Sequence, residues 1–175
     1  MENIMEKIIV KQKDRVVIYD DKKQIYIKKF HPKLKNKIKY FFRLRKYPGD
    51  NFNYVSQILN KLGIKTPEVV NYSKYHITTK EINGETLEKY FEKNKNEKII
   101  KNYLDILVKM LNNNIYYRDM GPGNFMYDGK DIYAIDLEGY LVDGIFTGRN
   151  TELEERLNKG LKNKEWVKYV LENLK

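Results

Sequence analysis

Three short runs of β-branched and aromatic residues fill the first thirty positions: IIVKQ, RVVIYD and QIYIKKF. Only KD-type and DDKK turns separate them, so the chain opens as a strand-rich block and its helices come later. From Pro32 to Tyr47, PKLKNKIKYFFRLRKY spaces Leu34, Ile38, Phe41 and Leu44 or Phe42 at helical intervals. NFNYVSQILNKLG then carries a stripe of Phe52, Val55, Ile58, Leu59 and Leu62, with Gly63 where a helix C-terminal cap belongs. Extended segments IKTPEVVNY and YHITTKEI follow, and Asn83-Gly84 turns into a short helix capped by Thr86 or Glu85. Residues 97–113 form the clearest amphipathic helix, through Ile100, Tyr103, Leu104, Leu107 and Met110/Leu111. FMYDG and DIYAIDLE read as a small hairpin turning at Asp128-Gly129, and two short helices follow, the last anchored by Trp166, Val167, Val170 and Leu171. A β-rich first part and a helical second part make an α+β pattern.

At 175 residues the chain is one domain or two small lobes sharing a core, with no internal repeat and no Pro/Gly/Ser linker long enough to separate independent units. Without cysteine it has neither disulfides nor a thiolate metal site, and two histidines argue against a zinc enzyme. No apolar run reaches the ~18 residues of a membrane span, and MENIMEKIIVKQKD has no signal-peptide core, so the expectation is a cytoplasmic protein. A net charge of +10 invites an anionic partner. Yet 28 Lys (34 minus 6 Arg) and a single alanine point to an AT-rich coding bias, and phosphate-reading surfaces favour Arg forks, so nucleic acid is not the expected partner. No acid occurs between Asp21 and Asp50, which makes the helix of residues 33–46 the most positive stretch. Its commoner use is to pack the apolar stripe on the core, and the alternative is peripheral contact with an anionic membrane at its inner face.

The segment YYRDMGPGNFMYDGKDIYAIDLEG, residues 116–139, concentrates the chemistry. Asp119 follows an apolar approach, a Gly-Pro-Gly turn folds the loop back to Asn124, and Asp136 ends the return strand of the hairpin. Two carboxylates and an amide carbonyl brought to one point suit a hard cation such as Mg²⁺ that keeps waters and binds phosphate oxygens.

Arg118-Asp119 followed five residues on by Asn124 resembles the catalytic loop of protein-kinase-like enzymes, and Ile135-Asp136-Leu137 resembles their magnesium-binding element. RDMGPGNF followed by AIDLEG is most similar to the bacterial lipopolysaccharide core heptose kinase family. Ile25-Tyr26-Ile27-Lys28 sits where such enzymes carry a V-A-I-K strand, and ITTKEINGETLEKYF resembles their hinge. The resemblance implies a compact two-lobed kinase-like fold, with a β-rich N-lobe over 1–82 and a mainly helical C-lobe over 83–175 containing the catalytic loop 117–124. It implies ATP and Mg²⁺ as cofactors and phosphoryl transfer to a sugar hydroxyl, with a glycolipid or sugar as acceptor. The alternatives are a compact atypical protein kinase and a catalytically inactive binding module. By the same resemblance Asp119 would orient or accept the proton of the attacking hydroxyl. Lys28 would contact the α/β-phosphates, with Lys29 pointing the opposite way. Glu81 and Asn83 would present backbone groups to adenine, and Asn124 and Asp136 would hold the metal, with Glu138 able to add a contact. Four departures accompany it. KQKDRV has no glycine-rich loop, the helix of residues 51–62 offers Asn53 or Gln57 where a glutamate would pair with Lys28, and Tyr117 replaces the usual histidine. The chain after Gly144 is also short for a full second lobe. Against the protein-kinase alternative, only Gly139 to Gly148 follows the metal aspartate where an activation loop would lie.

Overall fold

The strand-forming runs at the start of the chain pair as consecutive hairpins. In a computed structural model that describes residues 6–117, 119–142 and 150–175, β1 (Glu6–Lys11), β2 (Arg15–Asp20) and β3 (Ile25–Phe30) are joined by β4 (Val69–Ser73) and β5 (His76–Lys80). They make one antiparallel sheet in the order β1-β2-β3-β5-β4. Alternation along β2 and β3 puts Arg15, Val17, Tyr19, Tyr26 and Lys28 on one face, because Val17 pairs with Lys28 and Tyr19 with Tyr26. Lys29, one residue on, is exposed.

Between β3 and β4 lie α1 (Leu34–Phe41) and α2 (Pro48–Lys61). Pro48 supplies the pre-set backbone of a first helical turn, and Gly63, at φ 73°, terminates α2 as the sequence predicts. Phe52, Val55 and Leu59 bury the inner face of α2 against Ile77 and the rest of the core. α1 departs from the more common expectation. It is shorter than Pro32–Tyr47, and its stripe does not reach the core: Leu34, Ile38, Phe41, Phe42 and Leu44 are 49–76% exposed. A different face is anchored instead, by Tyr40, which is buried against Tyr47 and Tyr75 at ring separations of 5.3 and 6.3 Å.

The second half begins with β6 (Glu85–Thr86) and α3 (Leu87–Lys93), whose N-terminus is capped by the Thr86 hydroxyl accepting from the Lys89 amide. The 16-residue α4 (Glu97–Asn112) is capped by Asn96 and buries Tyr103, Leu104, Leu107 and Met110 as its spacing predicts. β7 (Ile115–Tyr116) leads into the loop of interest and pairs with β10 (Leu141–Val142). β8 (Phe125–Tyr127) and β9 (Ile132–Ala134) form the small hairpin and bind β6. α5 (Asn150–Leu161) and α6 (Lys164–Glu172) close the lower part, with Leu157, Val167 and Val170 in the common core. Among the described residues no helix is long and apolar enough to cross a membrane. Arg118, and Asp143 to Arg149 within the segment after the metal aspartate, lie outside the described residues.

Candidate active site

The loop between β7 and β8 is fixed from below. Tyr103 of α4, fully buried, donates its hydroxyl to the Met120 carbonyl. Helix α5 crosses so closely that a Cβ on Gly160 would meet the amide nitrogens of Gly121 and Met120 at 3.0 and 3.2 Å. Only glycine allows that approach. Within the loop the Asp119 carboxylate accepts from the Gly121 amide at 3.1 Å and remains exposed to solvent. The Asn124 side-chain amide donates to the Asp119 carbonyl at 2.8 Å, which leaves the Asn124 oxygen as its free ligating atom.

Asn124 and Asp136 are brought side by side through the hairpin, since the Ile135 amide donates to the Asn124 carbonyl at 3.0 Å. Asp136 itself sits in the left-handed region, φ 57° and ψ 38°, a conformation that costs free energy in any non-glycine residue and collects at functional sites. A single 3-10 turn, Leu137–Gly139, follows. Helix α2 holds that turn: the Asn51 side-chain amide faces the carbonyls of Tyr140, Glu138 and Leu137 at 2.9, 3.2 and 3.3 Å. This corrects the expectation that Asn53 or Gln57 stands where a helix glutamate would. Gln57 is exposed, and Asn51, two positions before Asn53, is the residue that meets the loop.

Above the loop four charges meet. Lys28 donates to Asp136 and reaches Glu138 at 3.5 Å, with the Phe52 ring 5.7 Å beneath its ammonium. Arg15, from the start of β2, lies 3.6 Å from Asp136 and 3.7 Å from Glu138, and its Nε donates to Gln12 at 3.1 Å. Lys28 is therefore fixed by Glu138 as well as Asp136, and the missing helix glutamate does not leave it loose. Burial opposes ionisation of Asp136, but Lys28 and Arg15 outweigh it and hold its carboxyl below the usual aspartate range. Tyr117, stacked on Tyr140 at 4.5 Å, is pushed up to about 12 by burial and by the neighbouring carboxylates, so it stays a neutral wall beside the loop.

The remaining candidates lie on the linker from β5 to β6. The Glu81 amide is committed to the Gln24 carbonyl at 2.8 Å and its carboxylate to the Tyr19 hydroxyl at 2.6 Å, whereas Asn83 is exposed. A hollow of about 430 Å³ borders this linker, lined by Thr66, Glu68, Lys80, Ile82 and Tyr133 among others, and it does not include the charge cluster. A second hollow, about 250 Å³, opens between the β1–β2 tip, α1 and the 3-10 turn and is lined by Arg15 and Glu138 of that cluster.

The donor set of Asn124, Asp136 and Glu138 is all oxygen. One Glu138 oxygen is buried without a hydrogen-bond partner among the described residues, the condition of an atom that a cation would satisfy. Among those residues no group of three or more His, Cys, Asp or Glu forms a closed cage, so a cation here would keep waters or take ligand oxygens. Arg15 and Asn51 were not visible as site residues in the sequence. A basic residue two positions before Val17, on the face that carries Lys28, is the only signal that would have found Arg15.

No family model and no curated protein sequence matches the chain. Solved structures do. A Rio2 kinase–ADP/Mg²⁺–phosphoaspartate complex from Chaetomium thermophilum aligns over 96% of this chain and 60% of its own, at 12% identity and a TM-score of 0.58. A streptomycin–ATP–APH(2'')-IIa ternary complex aligns over 96% of this chain and 78% of its own, at 14% identity and a TM-score of 0.56. This chain thus spans less than two thirds of the Rio2 chain. What these likenesses establish is architecture: an α+β, two-lobed, protein-kinase-like fold.

Proposed function

We propose that the protein is an ATP- and Mg²⁺-dependent phosphotransferase acting on an alcohol group, with its lobes dividing near 82/83. The observation that carries the reading is the convergence on one loop of Lys28, Asp136 and Asn124, with Asn124 tied to the backbone of Asp119. Both neighbours support it, one being seen with ADP and Mg²⁺ and the other with ATP and streptomycin. Bound Mg²⁺ would neutralise charge on the phosphate chain during transfer. Asn124 and Asp136 would hold it, with Glu138 as a further oxygen. Lys28 would orient the α/β-phosphates, and Asp119, exposed at the loop, would accept or orient the proton of the incoming hydroxyl. The carbonyl of Glu81 and the backbone of Asn83 would meet adenine.

The acceptor in this reading is a sugar hydroxyl, and specifically a lipopolysaccharide core heptose on a glycolipid. The loop text RDMGPGNF with AIDLEG supports that finer assignment. A membrane-embedded acceptor also gives α1 a use. Exposed Leu34, Ile38 and Phe41 of α1, with Phe42 and Leu44 just after it, lie among seven Lys and Arg residues from Lys33 to Lys46, the composition of an element that rests on an anionic bilayer.

Purified protein is expected to consume ATP, with Mg²⁺, in the presence of core oligosaccharide, and Asp136→Ala to abolish this. Wild type that neither binds nor hydrolyses Mg·ATP with any acceptor overturns the kinase reading. Phosphorylation of protein but no glycan overturns the sugar assignment and leaves a compact protein kinase. For α1, sedimentation with phosphatidylglycerol-containing vesicles, lost on replacing Phe41 and Phe42 by Asp, is the expected result. Unchanged sedimentation overturns the docking role.

A further inference from the structure

We propose that Arg15 is a nucleotide-phosphate ligand that replaces the glycine-rich loop this chain lacks. The inference rests on the phosphotransferase reading above. A glycine-rich loop binds phosphate through backbone amides that approach closely because no side chain intervenes. The β1–β2 tip here, Gln12-Lys13-Asp14, holds no glycine, and its backbone is closed by the Gln12 amide donating to the Arg15 carbonyl at 2.9 Å. A side chain must then reach the phosphates from the strand below.

Arg15 is placed to do so. Strand alternation puts it on the same face as Val17 and, across the ladder, Lys28. Gln12 fixes the angle of its guanidinium by accepting from Nε at 3.1 Å. Its terminal nitrogen lies over both acids, 3.6 Å from Asp136 and 3.7 Å from Glu138. With Glu138 it also lines the hollow of about 250 Å³. The cluster of Arg15, Lys28, Asp136 and Glu138 is neutral, two positive charges against two negative. A divalent cation taken by the acids would satisfy them and release both basic side chains together. Phosphate oxygens carried in with that cation are the nearest anions left to receive them. Lys28 would provide a point charge on one side of the phosphate chain, and Arg15 a planar fork on the other. The present pairing is the state that waits for the nucleotide.

Fluorescent-nucleotide titration tests this without any turnover. Binding of Mg·ATP and of AMP is compared in wild type, Arg15→Gln and Arg15→Lys. Loss of a charge-assisted bond is expected to lower the preference for ATP over AMP by about tenfold or more in Arg15→Gln. Arg15→Lys, which keeps charge without the fork, should fall between. A merely structural role would weaken both nucleotides equally and leave that ratio unchanged, which would overturn the inference alone. Wild type that binds no nucleotide would overturn the phosphotransferase reading and this inference with it.

Discussion

Among the described residues, Asn51 is the α2 side chain whose hydrogen bonds hold the turn after Asp136, and its removal has a calculable cost. Its amide nitrogen faces three carbonyls, at 2.9, 3.2 and 3.3 Å, and only a donor fits there, which fixes the orientation of the amide. Two hydrogens serve three acceptors, so at most two full bonds form at once. At roughly 1 kcal/mol net for each, with a further penalty for carbonyls left uncovered next to buried Leu137 and Tyr140, Asn51→Ala should lose about 2–3 kcal/mol. For a chain of this length that is a fall of roughly 5–10 °C in melting temperature. Asn51→Asp keeps the volume and turns the donor into a carboxylate aimed at three carbonyl oxygens, so it should lose more than Asn51→Ala. Urea unfolding at neutral pH, with the slope checked for constancy, measures both. If Asn51→Asp is as stable as Asn51→Ala, or if either lies within about 0.5 kcal/mol of wild type, the amide is not the clamp and the left-handed geometry of Asp136 is maintained by something else.

Three further outcomes follow from the same geometry. Tyr103→Phe removes the hydroxyl that anchors the Met120 carbonyl in a fully buried position and should cost about 1–3 kcal/mol by urea unfolding; no change would mean the loop is held without it. Gly160→Ala would gain up to about 1 kcal/mol of helix propensity in isolation, but its Cβ meets backbone nitrogens at 3.0 and 3.2 Å. The expected sign is therefore net destabilisation of about 1–3 kcal/mol, and a more stable variant would show that α5 does not sit so close to the loop. Because the folded-state pKa of Asp136 is depressed, the unfolded chain binds the extra proton between that value and about 3.9. The contribution is complete above about pH 4 and is lost as pH falls through the folded-state value. Wild type should thus lose stability more steeply than Asp136→Asn in that acid window, and parallel curves would refute the Lys28 and Arg15 pairing.

The parts of this fold legible in the sequence are those whose cause is local. Alternation in RVVIYD and QIYIKKF assigns Lys28 to one face and Lys29 to the other, and the side-by-side placement of Asn124 and Asp136 follows from a hairpin only a few residues long. The stripe of α4 likewise names Tyr103, Leu104, Leu107, Met110 and Leu111 in advance, although at its first turn Ile99 is buried rather than Ile100. What escaped reading depends on partners far away in the chain. Glu138 fixes Lys28 from 110 positions on, and Asn51 meets carbonyls 86 to 89 positions away, separations that leave no periodic trace. A helix glutamate would hold Lys28 from α2 directly. Here α2 holds the backbone of the turn, and the turn supplies the carboxylate, so the lysine is fixed at one remove.

Helix α1 shows a different limit. Periodicity establishes that Leu34, Ile38 and Phe41 share a face, but not which way that face is turned. The choice was made by Tyr40, whose ring has two aromatic partners waiting at Tyr47 and Tyr75, whereas the stripe has none. Anchoring through that one buried ring turns five large apolar side chains to the outside, at a cost to solubility that folding alone does not explain. An exposed apolar stripe interleaved with lysine and arginine lowers its free energy only where lipid or another apolar surface covers it. The orientation of α1 is thus what the vesicle-docking proposal above rests on, and the Phe41 and Phe42 substitutions test it.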